Sequence, residues 1–195
     1  YLITSICEIN NDNIKTIKFV ENSAVKTIYN LANSYDNSNI EEIYFPASLK
    51  ELKEGWCSFT NKLTKIIISP LNGQFIFKDD KYLLGKSDKN NDEFDLLLFA
   101  NRNIEEISIP SNIKIISSHA FSFCQNLIKV EIPENSNLQI IGSEAFIYSN
   151  IEEIFIPPNV TKICKSTFKR CTNLIKIEIL ENSNLQTIES NAFSY

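Results

Sequence analysis

The stretch Asn150-Ile-Glu-Glu-Ile-Phe-Ile-Pro-Pro-Asn-Val-Thr-Lys-Ile-Cys-Lys-Ser-Thr-Phe-Lys-Arg-Cys-Thr-Asn173 decides the fold. Its first part places apolar Ile151, Ile154 and Ile156 among polar residues, the alternation of a short strand with one buried face. Pro157, Pro158 and Asn159 then break the strand. A second apolar pair follows, Val160 and Ile163, and the unit closes on Thr167-Phe168 and Cys171.

The same unit recurs along the 195 residues. Asn39-Ile-Glu-Glu-Ile-Tyr-Phe-Pro46 and Asn103-Ile-Glu-Glu-Ile-Ser-Ile-Pro110 echo its start, and residues 126–139 reappear almost unchanged as 173–186. Repeats begin at 39, 62, 103, 126, 150 and 173, so the spacings are 23, 41, 23, 24 and 23. A degenerate copy starts near Asn13. The second apolar pair recurs as Leu49/Leu52, Ile113/Ile116, Leu138/Ile141 and Leu185/Ile188. The closing phenylalanine recurs as Phe121, Phe146 and Phe193, with Trp56-Cys57 in the first regular unit. One such unit cannot bury its own apolar face, whereas a stack can. About seven apolar side chains per unit supply on the order of ten kcal/mol gross, no more than the entropy lost in ordering some 23 residues. Units are therefore expected to fold only together.

These residues resemble the BspA-like leucine-rich repeats, and residues 150–173 follow that pattern nearly throughout, including Pro157, Val160, Ile163, Phe168, Cys171 and Asn173. The resemblance implies an α/β-type solenoid, mostly β: a right-handed stack of short parallel strands in 23–24-residue rungs. A single solenoid over 1–195 is expected, with irregular rungs in 1–38 and regular rungs from 39. The 41-residue interval predicts a β-hairpin insertion over about 71–102. Residues 74–84 and 94–99 read as two strands around a polar link, with a turn at Lys78-Asp-Asp-Lys81 that lacks the usual glycine. Regular rungs resume over 103–195. The resemblance further implies a protein-interaction or adhesion module of a cell-surface or secreted protein. The alternative is an intracellular, cytoplasmic scaffold.

Outward positions of the leading strand form two columns. The first is Thr16, Glu42, Lys65, Glu106, Lys129, Glu153 and Lys176; from Glu106 onward its sign alternates. Across strands ~4.8 Å apart this reads as a structural charge ladder of Glu106, Lys129, Glu153 and Lys176 that sets the order of near-identical rungs. The second column is Lys18, Tyr44, Ile67, Ser108, Glu131, Phe155 and Glu178. Tyr44, Ile67 and Phe155 read as partner-contact residues, as scattered surface apolars, or as residues packed by a neighbouring loop.

No catalytic, cofactor-binding or metal-binding set emerges, and the chain reads as a non-enzyme that needs no cofactor. The recurring Glu41-Glu42, Glu105-Glu106 and Glu152-Glu153 pairs follow the repeat rather than a reaction. His119, the one histidine, is expected in a solvated turn, without a nucleophile motif. Cys57, Cys124 and Cys171 read as small core residues, Cys164 as outward-facing, and five cysteines in this spacing do not suggest a disulfide framework. The net charge of −5, with only Arg102 and Arg170 as arginines, argues against nucleic acid. No apolar run approaches the ~20 residues of a membrane span. Partners are expected to be proteins, of a host or a second copy, with a glycan as the other class. Asn159-Val-Thr161 is the one N-glycosylation sequon. No polar capping rung is visible at the C-terminal side, which suggests more repeats in a longer protein, a missing cap or end-to-end self-association, the first being favoured.

Overall fold

The computed structural model describes all residues except 1, 2, 8, 10–12, 21, 33–37, 89, 91 and 195, so the irregular rungs expected in 1–38 lie partly outside the described residues. In chain order the strands are β1 (Ser5–Ile6), β2 (Thr16–Ile17), β3 (Thr27–Ile28), β4 (Glu42–Phe45), β5 (Glu51–Leu52), β6 (Lys65–Ile68), β7 (Phe75–Lys78), β8 (Tyr82–Gly85), β9 (Leu96–Ala100), β10 (Glu106–Ser108), β11 (Ile115–Ile116), β12 (Lys129–Glu131), β13 (Ile140–Ile141), β14 (Glu153–Ile156), β15 (Lys162–Ile163), β16 (Lys176–Ile179) and β17 (Thr187–Ile188). No helix occurs among the described residues, so the expected α/β-type solenoid is a mostly β one.

Each regular rung contributes two strands, one to each of two faces. The leading strands form the parallel sheets β2-β4-β6 and β10-β12-β14-β16. The second apolar pair of each rung is not merely turn packing: its second residue ends a two-residue strand, and these strands form the opposite face. Isoleucine suits both, since a β-branched side chain packs well on a pleated surface. The inward residues Ile43, Leu49, Ile113, Ile116, Leu138, Ile141, Val160 and Ile163 are fully buried.

The turn that follows is built on left-handed residues. Gly55 and Phe59, His119 and Phe123, Glu144 and Tyr148, Ser166 and Arg170 all have φ between 54° and 75°. Only the first position is glycine, yet the conformation costs other residues on the order of 1–3 kcal/mol. The compensation is visible in the stack. The backbone N–H of His119 donates to the Ser143 carbonyl, that of Glu144 to Lys165 and that of Ser166 to Ser190, at 3.0–3.1 Å. Phe123, Tyr148 and Arg170 likewise donate to Ile147, Lys169 and Ser194. From His119 to Arg170 each of these left-handed residues thus turns its donor along the stack, where the next rung satisfies it.

Inside the same turn the closing phenylalanines form a column. Phe121, Phe146, Phe168 and Phe193 stack at centroid separations of 4.7, 5.2 and 5.2 Å, with planes within 15° of parallel. A second file, Phe59, Phe123 and Tyr148, runs beside it.

The long interval is a three-stranded antiparallel meander, β7-β8-β9, rather than a two-stranded excursion. Its last strand already belongs to the stack: β9 pairs parallel with β11, so the solenoid resumes at Leu96 on one face, before Asn103. The turn between β7 and β8 dispenses with glycine because Asp79 and Asp80 both adopt positive φ, and Lys81 N–H donates to the Lys78 carbonyl. The runs Tyr82-Leu83-Leu84 and Leu96–Ala100 are continuously apolar because both sides of these strands are covered. Leu83, Leu98 and Phe99 pack with Trp56 and Phe45 in one core, while Tyr82, Leu84, Leu97 and Ala100 belong to the other. The meander is a wall dividing the apolar interior in two.

Candidate interaction surface

The leading-strand face presents both outward columns. Register pairs Glu42 with Lys65, Glu106 with Lys129, and Glu153 with both Lys129 and Lys176. The ion pairs do not all follow that register. Lys65 reaches across the rungs to Glu42 at 2.6 Å, and this hydrogen bond holds the Glu42 carboxyl below its ordinary range. Lys129 and Lys176 instead lean along their own strands to Glu131 at 2.6 Å and Glu178 at 2.7 Å. Neither Glu106 nor Glu153 is the partner in those two contacts. On β12, β14 and β16 the first column therefore brings opposite charges into proximity without closing them into a chain of ion pairs.

In the second column Tyr44, Ile67 and Phe155 are all half-buried. Tyr44 and Ile67 are register partners on β4 and β6, and Lys18 Nζ lies 5.0 Å from the Tyr44 ring centroid. Phe155 is on β14, in the other sheet, opposite Glu178. The three residues are thus two sites rather than one patch. Phe155 opens into a depression of about 420 Å³ whose walls include Ser108, Lys129, Glu131, Glu153, Lys176 and Glu178.

The opposite face carries an apolar groove of about 340 Å³ where the meander interrupts the stack, lined by Leu52, Trp56, Leu96, Leu98, Ile115 and Ile140 among others. Trp56 is 2% exposed and its buried indole N–H has no acceptor.

The reading of His119 as solvated is corrected. Its side chain is 16% exposed, with Nδ1 3.8 Å from Glu144 Oε2. It sits in left-handed conformation against Gly55, because the rung that starts at Lys62 supplies no turn of its own to separate the two. Burial lowers its pKa; Glu144 opposes the shift and Arg102 adds to it.

Arg102 is the residue that composition alone concealed. It is 2% exposed, and its guanidinium donates to the carbonyls of Thr60, Cys57, Ala120, His119 and Ala100 at 2.9–3.4 Å. It also lies 4.4 Å from the Phe99 ring centroid. Four of these carbonyls come from the turns on either side of the missing one and the fifth, Ala100, ends β9, so a single side chain supplies donors there. Cys57 and Cys124 flank it, both buried; burial pushes the Cys57 thiol up to about 11 and raises Cys124. Cys171 is buried and donates to the Phe146 carbonyl at 3.0 Å, and Cys164 is half-buried in the apolar groove. Among the described residues no cluster of three His, Cys, Asp or Glu could hold a metal ion, and no helix is long and apolar enough to cross a membrane. Asn159 of the sequon donates its side-chain amide to the Ser136 carbonyl at 2.8 Å.

The last rung is the most open. Ile154 and Ile156 are buried, but their counterparts Ile177 and Ile179 are 38% and 42% exposed, and Ile188 is 50% exposed.

A family model described as a BspA type leucine rich repeat region matches in six copies over residues 3–81 and 94–195. Among curated proteins none matches in sequence. Two solved structures share the fold at 18% identity. One is a leucine-rich repeat protein from Eubacterium ventriosum, with a TM-score of 0.56 over 90% of this chain and 60% of that one. The other is a leucine rich cell surface protein from Faecalibacterium prausnitzii, with a TM-score of 0.57 over 86% and 60%. The chain therefore spans about 60% of the length of either.

Proposed function

The chain belongs to the BspA-type leucine-rich repeat family, and from that premise we propose that it is a non-enzymatic protein-interaction module of a cell-surface or secreted protein, acting in adhesion. The observation that carries this reading is the leading-strand face, where a half-buried aromatic, Phe155, opens into a charged depression on a rigid sheet. Rigid, pre-ordered side chains lose little entropy on binding, and aromatic anchors in depressions dominate interface energetics. A surface location is supported by the cell-surface description of the Faecalibacterium relative. Tyr44 and Ile67 form a second, smaller contact area. Glu106, Lys129, Glu153 and Lys176 serve to keep rungs in order, and the last three also wall the depression. A protein is the favoured partner, with a glycan as the lesser alternative.

The test is affinity capture and mass spectrometry with wild type beside a Tyr44→Ala, Ile67→Ala, Phe155→Ala variant. Loss of specific partners with unchanged circular dichroism supports the reading. An identical partner set removes these three residues from the site.

A second reading rests on a separate observation. Five cysteines stand free, which suits a reducing compartment and an intracellular scaffold. Labelling of intact cells with a membrane-impermeant reagent decides between the two locations.

A further inference from the structure

We infer that the depression around Phe155 is a seat for a cationic side chain, arginine above lysine, presented by an extended segment of a partner protein. The inference rests on reading this face as the binding surface and adds the chemistry of what it binds.

The molecule itself supplies the precedent. In the second outward column Lys18 sits 5.0 Å over Tyr44. Three more rings carry a cation of this chain: Tyr29 with Lys53 at 5.8 Å, Phe94 with Lys86 at 5.0 Å, and Phe99 with Arg102 at 4.4 Å. Phe155 occupies the same column as Tyr44, but its register partner on the following rung is Glu178, and Glu131, two residues beyond the Lys129–Glu153 pair on the preceding rung, lines the same depression. Where Tyr44 has an ammonium beside it, Phe155 has carboxylates on both sides.

The charges around the ring point the same way. Three carboxylates, Glu131, Glu153 and Glu178, line the depression against two ammonium groups, Lys129 and Lys176. Both lysines are already engaged by Glu131 and Glu178, which leaves one negative charge in excess. An incoming anion would have to break those pairs, whereas an incoming cation meets a surplus carboxylate and an aromatic face together. Guanidinium suits the site better than ammonium because it is planar, stacks on a ring and still offers in-plane donors to carboxylates. A space of about 420 Å³ accommodates that side chain with its flanking backbone.

The experiment is an NMR titration of the ¹⁵N-labelled chain with acetyl-Gly-Ser-Arg-Ser-Gly-amide. The same peptide with citrulline, lysine or glutamate at the centre provides the comparison. Saturable shifts are expected at the amides of Glu131, Phe155 and Glu178, with a Kd on the order of millimolar. Citrulline should weaken binding roughly tenfold, as should high salt. A Glu131→Gln, Glu178→Gln variant, altered only at exposed side chains, should bind roughly fivefold more weakly, and Phe155→Leu should lose affinity while keeping the apolar bulk. Equal binding of the citrulline peptide, tighter binding of the glutamate peptide, shifts confined to other residues, or no shift at all would overturn the proposal. If partner capture is lost in a Phe155→Ala single variant while arginine and citrulline bind alike, the binding surface stands and the cation seat falls. If neither capture nor any peptide responds to Phe155, both fall.

Discussion

Arg102 donates to the carbonyl of Ala120 at 2.9 Å, across the gap that the insertion leaves in the column of turns. The same guanidinium holds four other carbonyls and faces no carboxylate in those contacts. Four of those carbonyls keep a backbone donor without it, from Ala100, Thr60, Leu63 and Ser122, so its removal takes away their second hydrogen bond and leaves a cavity among the turns. Arg102→Ala is expected to lower stability by about 2–4 kcal/mol. Arg102→Lys should recover only part of the loss, since a single ammonium cannot span the fork. Urea unfolding midpoints measure both; wild-type stability in the alanine variant would remove the clamp from the account.

The phenylalanine column predicts a position effect. Phe146 is stacked on both sides, by Phe121 and Phe168, whereas Phe193 has one stacking partner in the column. Phe146→Ala should cost about 3–5 kcal/mol, and Phe193→Ala clearly less. Thermal unfolding of the two variants side by side tests the order.

Two glycines should resist alanine for different reasons. Gly55 has φ +75°, and a new Cβ would make only ordinary contacts with His119 and Ser58, at 3.8 and 3.9 Å, so Gly55→Ala costs backbone strain of about 1 kcal/mol. At Gly142 a Cβ would meet the Ser118 backbone nitrogen at 2.6 Å, so the rungs themselves must separate and the loss should be larger. Arg170, exposed and at φ 62°, offers the converse: Arg170→Gly should leave stability unchanged or raise it by up to about 1 kcal/mol. Chemical denaturation of the three variants ranks them.

His119 predicts a pH dependence with a definite sign. Burial depresses its folded pKa, so below its ordinary value near 6.5 the unfolded chain takes up a proton that the folded chain resists. Its contribution is complete above that value and is lost as pH falls from there toward the depressed folded pKa. Asp95 acts in a separate, more acidic window. Burial pushes its carboxyl up, but hydrogen bonds from Ser87 and Lys114 together outweigh burial and hold it below the ordinary range. Stability against pH for His119→Asn should therefore be flatter between about pH 7 and 5 and unchanged in slope below pH 4. An identical slope in wild type and variant would acquit His119.

The rungs were legible because every one repeats the same inward pattern, and the run Leu96–Ala100 announced its two-sided burial by having no polar member. Three things were hidden. The left-handed turns carry no sequence mark where His119, Glu144 or Ser166 replaces glycine, because the next rung rather than the residue type stabilises them. The burial of His119 and the role of Arg102 arise from what the insertion omits, and an omission leaves no motif. On the leading-strand face, alternation identified Phe155, Tyr44 and Ile67 as outward, but periodicity could not show that the wall of β7-β8-β9 separates them.

That wall also shapes how the molecule bears load. Along most of the stack the inter-rung hydrogen bonds run with the long axis, so tension there opens one rung at a time. At the discontinuity the axial connection passes instead through a packed meander and a few side-chain ties, the guanidinium of Arg102 foremost among them. Mechanically the chain is two springs in series with a rivet between them, and a pulled molecule would register the rivet as its own event.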